Sequence, residues 1–453
     1  MQSIQTILRR LTEAPDKEAL YWNDRFFSYA ELNTAIAAWE PVLKDNGVGR
    51  GTVCAFLGDY SPQTAALIFA LMKVKAVMVP FTYAIQHEIE EFKNIAGVEC
   101  MFRFAPDDTW TLERYNAVPR NALIEDFMQR DVPGLIVFSS GSTGKPKGIL
   151  QDCERVMHKF VEKRPGWRTL LFLMMDHFGG FNTFLSSFAY GGTAVCLSDR
   201  NPDTVCRIIQ TSRATLLPTT PTFINLLLAS RVYGQYDLSS VKMITYGTEV
   251  MNAATLSKVR DIFPNAQIKQ TYGLSELGVL RSQSESDDSV WVKIGGAGFE
   301  VKIVDNILWI RSEANMVGYL NAPSPFDNEG WMCTGDQVEV RGEYMRILGR
   351  KSEMINVGGQ KVFPVEVENV LMEAGNVREV SVFAKPHPIM GHVVHAKITL
   401  HEPEDTLLAT ERLRKFCLER MAKYKVPVKF VFVDNSEQHN ARFKKIRRDS
   451  ESS

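Results

Sequence analysis

The sequence predicts an α/β protein with a large N-terminal domain of doubly wound sheets, a β-rich subdomain and a small α+β C-terminal domain. Between about 134 and 273, short apolar strands alternate with amphipathic helices, a pattern typical of parallel sheets covered by helices. After about 290, short strands and turns dominate. From Met354 onward the order becomes strand, helix, strand, strand, helix, strand, which is enough for a separate domain of about 100 residues.

Local patterns define the first elements of the chain. Residues 18–22 form an apolar strand pattern. Ser28 and Glu31 form a capping box that starts a helix, because each side chain can satisfy a free N–H group near the other residue. A second strand at 53–57 is followed by a helix that begins at the serine–proline pair 61–62, since proline suits the first helical turn.

The later elements are predicted from the apolar patterns typical of strands and of amphipathic helices. Buried strands are predicted at 134–138, 169–174, 193–197, 214–218, 241–246 and 267–271, with helices at 202–211, 221–230 and 253–263. The C-terminal part is predicted to contain helices at 364–373 and 410–423 and strands at 377–384, 393–399 and 428–433. Ligands of doubly wound sheets bind in the loops after the carboxyl ends of the strands, where the motifs below lie.

Length and composition limit the classes of function. The chain has 453 residues, enough for a large core without disulfide or metal support. Its 52 basic and 53 acidic side chains nearly cancel, so the overall charge does not indicate a nucleic-acid or membrane partner. Seven cysteines without a CxxC pair are typical of a reducing compartment. No secretory signal is apparent, and no apolar run reaches the roughly 18 residues of a membrane span, so we expect a cytoplasmic protein.

The sharpest motif is SSGSTGKPKG at 139–148, directly after the strand at 134–138. Small residues let the backbone approach a ligand, and their N–H groups can converge on an anion. Hydroxyl groups and two lysines add hydrogen-bond donors and positive charge, which favours phosphate. The motif is not a Walker A loop, because its glycines are too close together and Pro146 replaces the hydroxyl residue. A flexible surface loop is the alternative.

Three further motifs are individually weak. TYGLSE at 271–276 offers a ring to stack on a base and a carboxylate to hold Mg²⁺, but a buried tyrosine and a solvated glutamate explain it equally well. TGD at 334–336 offers an aspartate for ribose hydroxyls, although such an aspartate is usually a turn residue. The charged, glycine-containing segment 349–362 suits a hinge, and Arg350 within it suits a phosphate or ribose contact.

Together these motifs resemble the adenylate-forming superfamily, which includes acyl-CoA synthetases, adenylation domains and beetle luciferases. SSGSTGKPKG resembles the family signature TSGSTGxPKG, and YGLSE is similar to YGxTE, with Ser275 in place of threonine. TGD and GRKSEMINVGG match in order and spacing. The resemblance runs from about residue 15 to the C-terminus, and four ordered motifs are far more specific than any one of them.

The resemblance implies a nucleotide site. Ser140, Ser142, Thr143 and Lys147 would grip the β- and γ-phosphates of ATP, Glu276 would hold Mg²⁺, and Tyr272 would stack on adenine. Asp336 would bind the ribose hydroxyls, and Arg350 would reach the ribose or the α-phosphate. The remaining predicted ATP-binding residues are Ser139, Gly141, Gly144, Gly247, Thr248, Glu249, Thr271, Gly273 and Ser275.

The resemblance also implies a catalytic lysine near the C-terminus, which bridges the acid and the α-phosphate during adenylation. Lys445 fits best, because Ile446 and Arg448 then match the family context. Lys444 occupies the position of the usual glycine, so either lysine remains a candidate. Glu276, His177 and Lys147 complete the predicted catalytic set. A basic tail that binds solvent or nucleic acid is the alternative reading of this segment.

The predicted domains are 1–349 for ATP and acid binding, a hinge at 350–353 and a mobile C-terminal domain at 354–453. In the family this domain rotates between the two half-reactions, which opens a thiol tunnel near Gly359. Ser352 stands where the family usually has Asp or Lys. The predicted acid pocket consists of Asp176, His177, Gly179, Thr219 and Tyr246. Asp176 either caps the following helix, which we favour, or turns inward toward a polar group of the substrate.

The sequence therefore predicts an enzyme that activates a small carboxylic acid with ATP and Mg²⁺ and transfers the acyl group to CoA. Alternatives are an enzyme that loads the phosphopantetheine of a separate acyl carrier protein, a catalytically impaired nucleotide- or acyl-binding protein, and a nucleic-acid binder that uses the basic tail. The acid itself, and the choice between monomer and homodimer, are not determined by the sequence.

Overall fold

The computed structural model describes residues 2–116, 120–140 and 145–433. The helices are α1 (Gln2–Arg10), α2 (Tyr29–Asp45), α3 (Pro62–Lys73), α4 (Ile89–Ala96), α5 (Ala122–Met128), α6 (Cys153–His158), α7 (Phe178–Ala189), α8 (Pro202–Ser212), α9 (Pro221–Ser230), α10 (Ala253–Ile262), α11 (Pro364–Met372) and α12 (Thr406–Leu418). Short 3₁₀ turns lie at Tyr83–Ile85, Val232–Gln235, Lys351–Glu353 and Lys423–Lys425. Within these ranges, no helix combines the length and the apolar character that crossing a bilayer requires.

The three longest of the described strands lie in the last third of the chain. The strands are β1 (Glu18–Trp22), β2 (Arg25–Ser28), β3 (Val53–Leu57), β4 (Val77–Phe81), β5 (Cys100–Phe104), β6 (Trp110–Arg114), β7 (Gly134–Ser140), β8 (Pro146–Asp152), β9 (Arg168–Leu170), β10 (Thr193–Val195), β11 (Leu216–Thr219), β12 (Met243–Tyr246), β13 (Gln267–Gln270) and β14 (Gly273–Leu274). They continue with β15 (Gly278–Val279), β16 (Ser282–Ser284), β17 (Val292–Ile294), β18 (Phe299–Val304), β19 (Ile307–Ser312), β20 (Gly318–Tyr319), β21 (Met332–Arg341), β22 (Tyr344–Arg350), β23 (Ile355–Val357), β24 (Gln360–Val362), β25 (Val377–His387), β26 (Gly391–Leu400) and β27 (Lys429–Phe432).

Two seven-stranded sheets form the body of the protein. Their strand orders are β13-β12-β11-β9-β10-β1-β2 and β20-β8-β7-β4-β3-β5-β6. Pairing is parallel through most of each sheet, and antiparallel strands close the edges, as in β1–β2 and β5–β6. One buried core contains side chains from both sheets and from α2, α3 and α7, including Phe69 stacked on Phe184 at 5.5 Å between ring centroids. The predicted doubly wound α/β body is confirmed.

A six-stranded antiparallel sheet, β16-β17-β22-β21-β19-β18, follows the two parallel sheets and is the predicted β-rich subdomain. The last part of the chain forms a five-stranded sheet, in which β24, β23, β26 and β25 are neighbours in that order and β27 also pairs with β26. Helices α11 and α12 contribute to a hydrophobic core of its own. This is the predicted small α+β unit, whereas the domain limits 1–349, 350–353 and 354–453 stay a prediction.

Several local predictions hold at atomic detail. Both hydrogen bonds of the Ser28 and Glu31 capping box are present: Glu31 N donates to Ser28 Oγ at 3.2 Å, and Ser28 N donates to Glu31 Oε2 at 2.7 Å. Ser61 caps α3, accepting from Thr64 N at 3.1 Å. Helix 221–230 is α9 without change.

The C-terminal helix was predicted in the wrong place. It spans Thr406–Leu418 rather than 410–423, because Asp405 caps it and accepts hydrogen bonds from the backbone N–H groups of Leu407 and Leu408 at 3.0 and 3.1 Å. The strand predicted at 169–174 is also shorter, since β9 ends at Leu170 and the chain then runs as a loop to α7.

Candidate functional site

The two ends of the phosphate motif belong to an antiparallel strand pair, which we call the phosphate hairpin. Strand β7 pairs with β8 in antiparallel register, so that Ser139 lies opposite Lys147 and Ser140 lies opposite Pro146. Of the residues between the two strands, Gly141, Ser142, Thr143 and Gly144 lie outside the described residues, and Lys145 directly precedes β8. The structure therefore defines the base of the predicted phosphate loop, with one predicted phosphate-binding lysine on its second strand.

A short strap at 316–321 fixes the base of this hairpin. Its strand β20 pairs with β8, and Leu320 N donates to Gly148 O at 2.8 Å. The Asn321 side chain then clamps the hairpin twice: Oδ1 accepts from Gly148 N at 3.0 Å, and Nδ2 donates to Pro146 O at 2.9 Å. Sequence reasoning missed this strap, because its role depends on contacts with residues far away in the chain.

Tyr319 on the strap connects the phosphate hairpin to Glu276. Its hydroxyl donates to Glu276 Oε1 at 2.6 Å, and Lys147 Nζ lies 4.9 Å from the centroid of its ring. Burial and the Glu276 carboxylate raise the pKa of the Tyr319 phenol. The hydroxyl therefore stays protonated and remains a donor, which orients the carboxylate and leaves its second oxygen, Oε2, outside this hydrogen bond.

The loop that carries Glu276 is held from two sides. Met316 N donates to the backbone oxygen of Glu276 at 2.8 Å. The buried side chain of Gln151 on β8 donates through Nε2 to Ser275 O. These contacts bring the first and second predicted motifs together, although they are more than a hundred residues apart in the chain.

The third and fourth motifs meet at a buried carboxylate. Asp336 on β21 lies opposite Arg350 on β22, and its Oδ1 is 3.4 Å from Arg350 Nε. The Tyr272 hydroxyl donates to Asp336 Oδ2 at 2.5 Å, and Asp336 N donates to Thr334 Oγ1 at 3.0 Å. Burial raises the pKa of Asp336, while Arg350 opposes the shift. The predicted base-stacking tyrosine, ribose aspartate and arginine thus form one cluster.

The ends of β12 and β13 approach each other closely. Thr271 N donates to Tyr246 O at 2.8 Å, and a Cβ atom added at Gly247 would lie 2.6 Å from Thr271 Oγ1. Thr248 follows in the left-handed backbone region, with φ 69°. The Glu249 carboxylate reaches the N-terminus of α9, where it accepts from Thr222 Oγ1 at 2.6 Å and from Thr222 N at 3.2 Å.

The predicted acid pocket lies at the same edge of the sheet. Thr219 and Tyr246 are directly opposite each other on the parallel strands β11 and β12, and both are buried. His177 is the N-cap residue of α7, but its side chain makes no capping hydrogen bond. A Cβ atom added at Gly179 would meet only Leu173 Cδ1, at 3.7 Å, whereas one added at Gly180 would lie 1.9 Å from Met174 O. Of these two glycines, therefore, only Gly179 leaves open space.

Asp176 does not occupy the favoured capping position, because the N-cap residue of α7 is His177, and the orientation of Asp176 toward a polar group of the substrate stays a prediction. Asp176 is 3% exposed and accepts from Thr82 Oγ1 at 3.1 Å. Nearby, the buried Arg200 forms a bidentate pair with Asp59, with an NH2–Oδ1 distance of 2.9 Å. Burial acts to lower the pKa of Arg200. The pKa is nevertheless raised, first by Asp59 and then by Tyr60 and Asp176. Asp176 thus belongs to a polar network with Thr82 and Arg200.

The predicted tunnel residue Gly359 lies in the exposed turn between β23 and β24, with φ 89°, and its N–H donates to Asn356 Oδ1 at 2.9 Å. The predicted hinge contains the 3₁₀ turn Lys351–Glu353. Both candidates for the adenylation lysine, Lys444 and Lys445, lie outside the described residues.

Two protein-family models together match most of the chain. A family model described as AMP-binding enzyme matches residues 7–320, and a second, described as AMP-binding enzyme C-terminal domain, matches residues 366–444. Indoleacetate–CoA ligase of Aromatoleum aromaticum is 28% identical over 506 aligned residues, covering 99% of this chain and 97% of that protein. 2-Succinylbenzoate–CoA ligase of Bacillus subtilis is 25% identical and covers 94% of this chain and 93% of its own.

Solved structures share the fold. An anthranilate CoA ligase in complex with anthranoyl-AMP superposes with a TM-score of 0.81 at 21% identity, covering 98% of this chain and 95% of that one. o-Succinylbenzoate CoA synthetase from Bacillus subtilis, in complex with its acyl-adenylate intermediate, gives a TM-score of 0.78 at 22% identity, with coverage of 98% and 96%.

Proposed function

Because this chain belongs to the family of AMP-binding enzymes, we propose that it is an ATP-dependent ligase that joins a small carboxylic acid to the thiol of CoA. A carboxylate oxygen attacks the α-phosphorus of ATP, which forms the acyl-adenylate and releases pyrophosphate. The thiol of CoA then attacks the acyl carbonyl, which gives the thioester, AMP and a proton. The observation that carries this proposal is the convergence of the predicted nucleotide motifs through Tyr319 and Tyr272.

The named activities of the relatives support CoA as the acceptor. Proteins similar over 94–99% of this chain include ligases that join indoleacetate and 2-succinylbenzoate to CoA. These acids are chemically diverse, so the relatives support the reaction type and not one particular acid. The phosphopantetheine of a separate acyl carrier protein presents the same thiol and is the alternative acceptor.

Glu276 is the proposed protein ligand of Mg²⁺. Magnesium is usually bound by one or two carboxylates together with substrate phosphates and water. Among the described residues, no group of three or more His, Cys, Asp or Glu side chains is placed to hold a metal. A single oriented carboxylate beside the phosphate hairpin fits this mode of binding. When bound, Mg²⁺ would neutralise charge on the phosphates.

The proposed role of the nucleotide residues is to hold ATP in one geometry. Lys147 and the hydroxyl residues of the hairpin bind the β- and γ-phosphates, and Asp336 accepts hydrogen bonds from the ribose. Lys445, delivered by the C-terminal segment, stabilises charge that develops as the carboxylate oxygen reaches the α-phosphorus. Catalysis of this kind depends on positioning and preorganised charge, and one such donor is worth about 3–4 kcal/mol of activation free energy.

Isotope exchange between ATP and pyrophosphate tests the proposal. The protein is incubated with aromatic, alicyclic, β-keto and C4–C12 acids, and active mixtures are then trapped with CoA or with a phosphopantetheinylated carrier protein. We expect acid-dependent exchange and formation of an acyl-CoA. Exchange followed by transfer only to the carrier would favour the alternative acceptor. No exchange with any acid would favour a binding protein that retains the fold without the activity.

A further inference from the structure

A cavity lined by both polar and apolar residues lies between the N-terminal body and the C-terminal unit. Its volume is about 280 Å³. The N-terminal side is formed by the last turns of α9, the residues after it and α10, and the C-terminal side by the end of α11, the start of β25 and the residue after β26. None of the described residues that were assigned above to the nucleotide or the acid lines it.

The cavity is separate from the proposed adenylate site. Glu249 and Thr222 mark the N-terminal end of α9, next to the predicted adenine edge. Arg231 lies at the other end, where it terminates the helix in the left-handed conformation with φ 56°. Ten helical residues separate the two ends by about 15 Å, so one small ligand does not reach both places.

Basic side chains from both units converge on this cavity. Arg231 and Lys258 come from the N-terminal body, and Arg378 and His401 come from the C-terminal unit. Among the described residues, one carboxylate, that of Asp261, lines the cavity with them. With His401 neutral, the lining residues therefore carry a net charge of +2. Within the described ranges, neither Arg231 nor Lys258 forms an ion pair.

The basic groups are close enough to affect one another. Burial, followed by the charges of Arg231, Arg378 and Lys258, lowers the pKa of the His401 imidazole, while Glu402 opposes this shift. Like charges gathered in a recess repel one another, and a multiply charged anion removes this repulsion. Arginine is well suited to such a ligand, because its planar guanidinium binds phosphate oxygens in pairs.

We propose that this cavity binds a small phosphate-bearing anion, of the size of pyrophosphate, which bridges the N-terminal body and the C-terminal unit. The cavity is just below the roughly 300 Å³ at which sites for drug-sized molecules begin, so it suits a diphosphate better than a whole nucleotide. The cations that surround the anion come from both units, so binding holds the two units in the present orientation. The proposed function is needed only to explain where the pyrophosphate comes from, namely as a product of the adenylation step.

Calorimetric titration with pyrophosphate tests the site in the full-length protein. The protein is first saturated with a non-hydrolysable ATP analogue, so that the predicted phosphate loop is already occupied. We expect the double variant Arg231→Gln/Arg378→Gln to bind pyrophosphate at least tenfold more weakly than the wild type. Lys415→Gln, which removes an exposed charge from α12, is the matched control and keeps wild-type binding.

A charge-preserving variant separates binding from folding. Arg231→Lys/Arg378→Lys keeps both charges, and we expect it to retain most of the affinity that the glutamine pair loses. Equal binding by the wild type and the glutamine pair would overturn the proposal. Binding of adenosine 3′,5′-bisphosphate, a model of the CoA nucleotide, without binding of pyrophosphate would also overturn it. If the ATP analogue itself does not bind, the proposed function fails while the pyrophosphate titration still reports on this cavity.

Limited proteolysis tests the bridging role. Arg350 and Lys351 are exposed trypsin sites in the segment that connects the two units. Pyrophosphate is expected to slow cleavage at these residues at least threefold in the wild type and not in Arg231→Gln/Arg378→Gln. Unchanged cleavage of the wild type at saturating pyrophosphate would contradict a bridge between the units.

Discussion

Tyr319 is the residue on which the geometry of the proposed phosphate site depends most directly. It contacts Glu276 through its hydroxyl and Lys147 through its ring. A hydrogen bond to a charged group contributes about 1.5–3 kcal/mol, so the hydroxyl fixes the carboxylate firmly. Its importance was not evident from the sequence, where it is one tyrosine in the segment MVGYLN. Only the pairing of β20 with β8 brings it to the site.

Replacing Tyr319 by phenylalanine is expected to weaken metal binding while preserving the packing of the ring. The concentration of Mg²⁺ that gives half-maximal exchange should rise about tenfold, because Glu276 loses its orienting donor. Binding of Mn²⁺ to the ATP complex, followed by electron paramagnetic resonance, should weaken by a similar factor. Tyr344→Phe, on β22 away from the hairpin, is the control. Unchanged Mn²⁺ affinity in Tyr319→Phe would contradict the positioning role.

We expect Lys159 to make the stability of the protein depend on pH. Its Nζ donates to Val279 O at 3.1 Å, and burial, followed by the charge of Arg164, lowers the pKa of Lys159 to about 7. In the unfolded chain a lysine has a pKa near 10.4. Between these values the unfolded state binds more protons than the folded state, so the free energy of unfolding rises with pH.

We therefore expect Lys159→Met to remove this dependence. The wild type should gain stability relative to the variant as pH rises from about 7 toward about 10, with a slope of at most about 1.4 kcal/mol per pH unit. Urea denaturation at several pH values measures the difference. Lys163→Met, which removes an exposed lysine from the same segment, should run parallel to the wild type. A constant difference between wild type and Lys159→Met would contradict the prediction.

At the scale of elements, a buried polar network connects the two large sheets beside the predicted acid pocket. Thr82 follows β4 in one sheet, and Asp176, to which it donates, follows β9 in the other. In the same way Asp59 follows β3, and its partner Arg200 follows β10. The carboxyl ends of both sheets are thereby held together, which fixes the edge where the predicted acid and nucleotide residues lie.

The two adjacent glycines of α7 are expected to respond oppositely to alanine. Gly179→Ala meets only Leu173 at van der Waals distance and should stabilise the helix by up to about 1 kcal/mol. Gly180→Ala places Cβ against Met174 O, so the backbone must move, at a cost of about 1–3 kcal/mol. Thermal unfolding of both variants measures the difference, and similar midpoints would contradict it. If Gly179 borders the acid pocket, its variant should also raise KM for the bulkiest acids in the active set.

The elements that the sequence predicts well are those with strong local determinants. The capping box of Ser28 and Glu31 and the serine before Pro62 each define a helix start through neighbours in the chain. The start of α12 was missed, although Asp405 is an ordinary capping residue, because the apolar pattern suggested a later beginning. Strand β8 was missed because the glycine-rich motif at its start indicated a loop, and only its pairing with β7 defines it.

At the scale of the whole molecule, the N-terminal body and the C-terminal unit contact each other in a defined orientation. Asn252 Nδ2 donates to Asn369 O at 3.3 Å, and α10 and α11 are in contact. The relative position of the units was beyond sequence reasoning, because such an interface contains no periodic pattern. The family resemblance assigns Tyr272, Asp336 and Arg350 to one nucleotide site, and in the structure Tyr272 and Arg350 both contact Asp336.

Substitution of the two candidate adenylation lysines tests whether the two half-reactions use different parts of the C-terminal unit. Lys445→Ala is expected to lower ATP–pyrophosphate exchange by about 100-fold or more, because a preorganised charge is lost from the first transition state. Thiolysis of supplied acyl-AMP by CoA should change by less than about threefold, since that step has no use for this charge. Lys444→Ala is the matched control, with near-normal rates in both assays. The opposite pattern would assign the role to Lys444, and equal losses in both half-reactions would contradict a division of labour between the two steps.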